Sequence, residues 1–187
     1  MRNNLGRLLL EAGRLDEAEV EFRRLLKVYP EQAAARLNLA KVLMENKENW
    51  QAAADEYRHL IRHDSTNYDA WEYLGNIALV YQQNPKAALA YYNNAIRYGG
   101  TQVGPRVHVH KAVALNKLGL GAEAEAVYLE VLAQSPTHVQ AWYNLGALYW
   151  SSRRYGKAQK AFSKVIEIGT DPPLAKKANQ RLKQPIP

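Results

Sequence analysis

Apolar residues recur along the chain at intervals of three and four. In the first stretch Leu5 and Leu9 are followed by Leu15, Ala18, Phe22 and Leu25, the spacing that gathers side chains on one face of an α-helix. No segment sustains the period-two alternation of a half-buried strand, so the pattern predicts an all-α chain. Breakers punctuate it. Gly13 and Gly119 fall inside short turns, and Pro30, Gly99-Gly100 and Pro136 mark where the second helix of a pair stops.

The pattern repeats. Phe22, Tyr57, Tyr92, Tyr128 and Phe162 are separated by steps of 35, 35, 36 and 34, and four residues before each stands Ala18, Ala53, Ala88, Ala124 and Ala158. A second set, Leu5-Gly6, Leu39-Ala40, Leu74-Gly75, Lys111-Ala112 and Leu145-Gly146, steps by 34, 35, 37 and 34. Each unit therefore holds two phased segments, read as two antiparallel helices. The small residue lets the helices approach closely, and the aromatic fills the space beyond it. One such hairpin cannot bury its apolar face, whereas stacked hairpins can, with stability coming from nearest-neighbour interfaces.

These residues resemble the tetratricopeptide repeat (TPR) family. The fifth unit carries Trp142, Leu145, Gly146, Tyr149, Tyr155, Ala158 and Phe162 at that pattern's positions, and the third carries Trp71, Leu74, Gly75, Ala88, Tyr92 and Ala95. The resemblance implies a right-handed superhelical solenoid of five hairpin units, about 1–32, 33–67, 68–102, 103–138 and 139–172, forming one domain over 1–187. It departs from the pattern in three ways. Units two and three have one extra turn residue each, near Trp50 and Pro85, and the loop from Gly99 to Pro105 is about two residues long for the family. In unit four, Lys111 and His108 replace the expected apolar residue and tryptophan, so an irregular twist is expected between units three and four.

Asp171 can cap a helix whose first turn holds Pro172 and Pro173, with Leu174, Ala178 and Leu182 forming one apolar stripe. This predicts a capping helix over about 173–184, ended by Pro185. The first hairpin, in contrast, is entered about two residues late, without a helix-starting signal before Asn3. Further sequence upstream, in a longer protein, is the expectation.

Charge and composition narrow the function. The net charge of +7 suggests nucleic acid until it is located: nine basic residues against Glu167 and Asp171 follow from Arg153 onward, leaving sixteen of each sign in positions 1–152. The chain has no cysteine, which removes disulfides, thiolate metal sites and a Cys nucleophile. Nothing approaches the roughly 20 apolar residues of a spanning helix, and the N-terminus lacks the apolar stretch of a signal peptide. A soluble protein is expected, with cytoplasm and periplasm equally compatible.

Candidate chemistry is sparse. His59 with His63, at i and i+4, and His108 with His110 are the pairs that invite a metal. Neither has a third ligand nearby in sequence, and an i, i+2 pair splays to different helix faces. No metal and no cofactor is expected. HExxH, GxSxG and glycine-rich phosphate-loop patterns are absent, so no catalytic residue and no enzyme activity is expected either.

The TPR resemblance implies a concave groove lined by the first helix of each hairpin. Carried onto this chain, it assigns protein binding to Asn4, Arg7, Asn38, Lys41, Tyr73, Asn76, His110, Val113, Tyr143, Asn144 and Trp150, with Leu37, Glu72, Val109 and Asn116 beside them. Asparagine offers both donor and acceptor to an extended peptide, and the aromatics supply anchors. An Asn beside the Leu-Gly pair can equally serve the hairpin's own fold. Trp71 and Trp142 are assigned to the core, and Glu125 to the opposite, convex face. None of the residue sets that would form the family's carboxylate clamp carries its full complement of cations, which argues against a partner held by its C-terminal carboxylate. The sequence thus points to a non-enzymatic scaffold that binds a protein or peptide. The alternative is an electrostatic adaptor in which the basic C-terminal region meets nucleic acid, anionic lipid or an acidic protein. Nucleic acid is the less favoured partner, because the basic excess reads first as a solvated helix face.

Overall fold

A computed structural model describes residues 2–45 and 49–185. Among them are eleven α-helices, one short 3-10 turn and no strand. The chain divides into two compact units, Met1–Val103 and Gly104–Pro187. In unit 1, α1 (Arg2–Glu11) pairs with α2 (Leu15–Val28), α3 (Ala33–Glu45) with α4 (Trp50–His63), and α5 (Tyr68–Val80) with α6 (Pro85–Gly99), followed by the 3-10 turn Gly100–Gln102. In unit 2, α7 (Pro105–Lys117) pairs with α8 (Gly121–Gln134) and α9 (Val139–Ser151) with α10 (Tyr155–Ile168), and α11 (Pro172–Leu182) packs on α10 and α9. The boundary between the units lies inside the long Gly99–Pro105 loop.

The helix turns explain the tight pairing. After α1, the N–H of Gly13 bonds Leu10 O at 3.0 Å and that of Arg14 bonds Leu9 O at 2.9 Å, the paired closure of a Schellman motif. The same two bonds recur after α7 (Gly119 to Asn116, Leu120 to Leu115) and after α9 (Arg153 to Trp150, Arg154 to Tyr149). Such a closure needs a left-handed residue, and φ is +72° at Gly13, +80° at Gly119 and +58° at Arg153. Arginine thus stands where the other turns use glycine. The extra residue expected near Pro85 is accommodated by Gln83, at φ +49°, and Asn84 then caps α6 through Ala87 N. The extra residue expected near Trp50 belongs to a turn that includes 46–48, outside the described residues.

The two repeat columns are the core. Ala18, Ala53, Ala88, Ala124 and Ala158 are fully buried, and so are the aromatics four residues on. A methyl built on Gly75 would sit 2.5 Å from Tyr92 Cε1, and one on Gly6 or Gly146 would meet Phe22 or Phe162 at 2.7 or 2.8 Å. The ring of the second helix therefore lies directly on the backbone of the first. Two of the expected core residues are placed differently: Trp71 and Trp142 are only half-buried. Each indole N–H donates at 2.8 Å to the carbonyl of the preceding connection, Ser65 O and Pro136 O respectively. Trp71 packs on the core from its edge, beside Tyr91 and Tyr98, and both indoles fasten the inter-hairpin loop to the next hairpin. The expected capping helix forms, with Asp171 accepting from Leu174 N at 2.9 Å and Leu174 and Ala178 buried; it ends at Leu182.

Candidate functional site

The first helices of unit 1 present a continuous strip of half-buried polar and aromatic groups. Asn38 of α3 donates to Asn3 of α1 at 3.3 Å, and Lys41 of α3 places its ammonium 5.6 Å from the ring centre of Tyr73 on α5. Three successive first helices are linked in this way along one face. Asn4 and Arg7 are exposed on α1, with Arg7 held in an i, i+4 pair by Glu11 at 3.1 Å. Tyr73 is stacked on Tyr57 of the previous hairpin, rings 5.0 Å apart and nearly parallel. Glu72 and Val109, placed beside the groove by sequence, are instead buried at 4% and 1% exposure.

The asparagines divide between surface and core duties. Asn76 accepts the hydroxyl of Tyr92 at 2.9 Å. Asn144 takes part in a hydrogen bond with Tyr128, which opposes the upward push that burial exerts on that hydroxyl's pKa. The hydroxyls of Tyr92 and Tyr128 belong to buried side chains, and a buried hydroxyl needs a partner. These two amides supply it. Asn144 also accepts from Gln140 at 3.0 Å.

In unit 2, His110 and Val113 of α7 are half-buried, as are Tyr143, Asn144 and Trp150 of α9, while Asn116 is exposed. Burial, with Arg106 and His138 adding to it, lowers the pKa of His110; burial also lowers that of His108, with Glu130 opposing. In both, burial disfavours the protonated form. Tyr143 lies 5.7 Å from the ring of Phe162, and Trp150 packs edge-on against Tyr155 at 5.2 Å. The aromatics of this face are therefore anchored from beneath.

Two clusters escaped sequence reasoning. Glu125, read as a plain convex residue, accepts from Tyr149 Oη at 2.9 Å and from Arg154 through both guanidinium nitrogens. The Arg154 hydrogen bond is the main cause that holds the Glu125 carboxyl below its usual range, while burial and this carboxylate push Tyr149 up to about 12. The residues stand 24 and 29 positions apart, so no local motif announces them. Beside them runs a cleft of about 760 Å³, lined by Leu129, Trp142 and Tyr149 with Lys157, Lys160 and Lys164. The second cluster concerns the first histidine pair. His59 and His63 stack at 4.3 Å, and Glu31, far upstream, brings its carboxylate 3.1 Å from His63 Nδ1. A third side chain of ligating type, absent from the sequence neighbourhood, thus lies beside the pair in space.

Among the described residues no helix is long and apolar enough to cross a membrane. Comparison with curated proteins finds no match. Solved structures do match. The crystal structure of YrrB, a TPR protein with an unusual peptide-binding site, is 26% identical, with 96% of this chain and 90% of that one covered at a TM-score of 0.74. TTC0263, a thermophilic TPR protein of Thermus thermophilus, is 23% identical over 98% of both chains at 0.75. PilW, a widely conserved type IV pilus biogenesis factor, is 19% identical over 91% of this chain and 77% of its own at 0.82, which shows a shared fold. A tetratricopeptide repeat family model matches residues 3–58 and 77–139, and a second matches 115–182. With hairpins, columns and family models in agreement, this chain belongs to the tetratricopeptide repeat family.

Proposed function

We propose that the protein is a non-enzymatic scaffold that holds a peptide segment of a partner protein along the face of its first helices. The observation that carries this reading is the strip running from Asn3 and Asn38 through Lys41 to Tyr73 across α1, α3 and α5. It combines amides, a cation and an aromatic ring on one side of the molecule, the mixture that pairs with a peptide backbone while seating a few large side chains. The peptide-binding site of YrrB, on a chain of the same fold and 26% identity, supports the same use.

A second reading is favoured by the cleft of unit 2. Its floor of Leu129, Trp142 and Tyr149 and its rim of Lys157, Lys160 and Lys164 suit an amphipathic acidic peptide. The two readings separate in one experiment. A partner retained on the full-length protein is identified and titrated against wild type, Lys41→Glu with Tyr73→Ala, and Lys160→Glu with Lys164→Glu, each checked for unchanged melting. Under the first reading the Lys41/Tyr73 variant binds at least about tenfold more weakly and the lysine pair binds normally. Under the second the outcome reverses, and affinity falls steeply with salt. Normal binding by both variants removes both faces from consideration.

A further inference from the structure

The connection between α2 and α3 is held against α4 by one side chain. Arg36 donates to Pro30 O at 2.6 Å and to Glu56 of α4 at 2.5 Å. This sets Glu31 at a fixed place beside the last turn of α4. There its Oε2 lies 3.1 Å from His63 Nδ1, and His59, one turn earlier on the same helix, stacks its ring on that of His63 at 4.3 Å and 14°. One ligand atom from each of the three residues lies within 4.8 Å of the others.

We propose that Glu31, His59 and His63 form a binding site for a divalent transition-metal ion of the zinc type, with two imidazole nitrogens and one carboxylate oxygen as ligands. The donor set selects the class of ion: imidazole suits zinc, copper, nickel and cobalt, whereas calcium and magnesium prefer all-oxygen sites. The spacing is right as well, because histidines at i and i+4 share a helix face and can grip one ion. In a tetrahedral zinc site with bonds of about 2.0 Å, ligand atoms stand about 3.3 Å apart, so side chains now within 4.8 Å close by an ångström or so of rotation. Glu31 and His63 are exposed and free to rotate that far.

An ordinary ion pair accounts for less of the geometry. The Glu31–His63 contact is exposed on both sides, where such pairs contribute little, and it does not explain why a second imidazole is laid against the first. Arg36 is paired with Glu56, which offsets part of the positive charge it brings near the site. Three protein ligands leave one tetrahedral position for water or for a donor from a partner. Glu31 also lines a cleft of about 580 Å³ with Leu25, Val28 and Tyr29, so the ion would sit at that cleft's edge and clip the α2–α3 turn to α4.

The test uses the full chain without a histidine tag, stripped with chelator and titrated with zinc chloride by calorimetry, and with cobalt chloride by visible absorption. Zinc is expected to bind at one equivalent and, near saturation, to raise the melting midpoint by roughly 3 °C or more. His59→Ala and His63→Ala are each expected to weaken binding by at least about tenfold and Glu31→Gln by about threefold to tenfold, whereas His108→Ala has no effect. His63 is exposed, so its variant keeps the fold and isolates the ligand. The proposal is overturned by the absence of saturable zinc binding below about 1 mM, or by binding that persists unchanged in His63→Ala.

Discussion

Gly75→Ala tests the close ring-on-backbone contact made in the three hairpins that carry glycine in this column. The change adds a methyl in the middle of α5, where helix propensity alone would favour alanine by about 1 kcal/mol. The neighbouring ring decides the sign. The new carbon would stand 2.5, 2.7 and 2.9 Å from three ring atoms of Tyr92, against an ordinary separation of about 3.5 Å or more. Relief requires a movement of about 1 Å. Tyr92 has no room to supply it, because the side chain is fully buried and its hydroxyl is tied to Asn76, the residue after Gly75 on α5. Separating α5 from α6 instead would loosen Leu74, Ala78, Ala88 and Ala95, all buried at 2% or less. Overpacking of this kind costs about 3 kcal/mol, which leaves a net loss of about 2 kcal/mol after the gain in propensity. Thermal melting followed by circular dichroism at the helix band should show a fall of about 4–8 °C. Gly156→Ala is the matched control, since a methyl there meets nothing within 4 Å; it should melt at or slightly above wild type. A Gly75→Ala protein that melts as high as wild type would refute the close-approach account of the glycine-bearing hairpins.

Further outcomes follow from the same structure. Arg153→Gly relieves a non-glycine residue at φ +58° and should raise stability by about 0.5–1 kcal/mol, read from a urea titration. Trp71→Phe keeps the ring but removes the 2.8 Å bond to Ser65 O, for a loss of about 1 kcal/mol in the same assay. The Glu125 carboxyl is depressed in the folded state, chiefly by Arg154, so its contribution is present above the ordinary carboxylate pKa and disappears as pH falls through the folded value. Glu125→Gln should therefore be less stable than wild type at neutral pH, and the urea midpoints of the two should converge as the pH is lowered into the acid range.

The helices and their phase were legible because the aromatic and small-residue columns are local, repeated statements. Ala18 with Phe22 on one helix face is visible at a glance, and four further copies remove ambiguity. The capping helix was equally clear, since an Asp followed by two prolines has a direct geometric meaning. What stayed hidden depended on distance in sequence. Glu125, Tyr149 and Arg154 meet only because α8, α9 and α10 stack, and Glu31 reaches His63 only through the turn that Arg36 holds. Trp71 packs on the core but stops at its edge, for another reason. A large apolar ring reads as core, while its N–H asks for a partner at the edge, and the edge prevailed. Asn76 and Asn144 shared that ambiguity, because an amide near a groove and an amide beneath it look the same in sequence.

The bond between Tyr92 and Asn76 gives the interior a say in how the outer face behaves. Tyrosine and phenylalanine fill the aromatic column equally well, as Phe22 and Phe162 show by their complete burial, so exchanging one for the other leaves the packing volume nearly untouched. The exchange is nonetheless felt outside. Tyr92→Phe would release the Asn76 carbonyl from its internal donor, and Tyr128→Phe would release the Asn144 amide from its internal partner. A single oxygen atom, hidden under the helices, sets whether an amide above it is committed or available. On the proposed binding face, specificity can thus drift through substitutions buried beneath it.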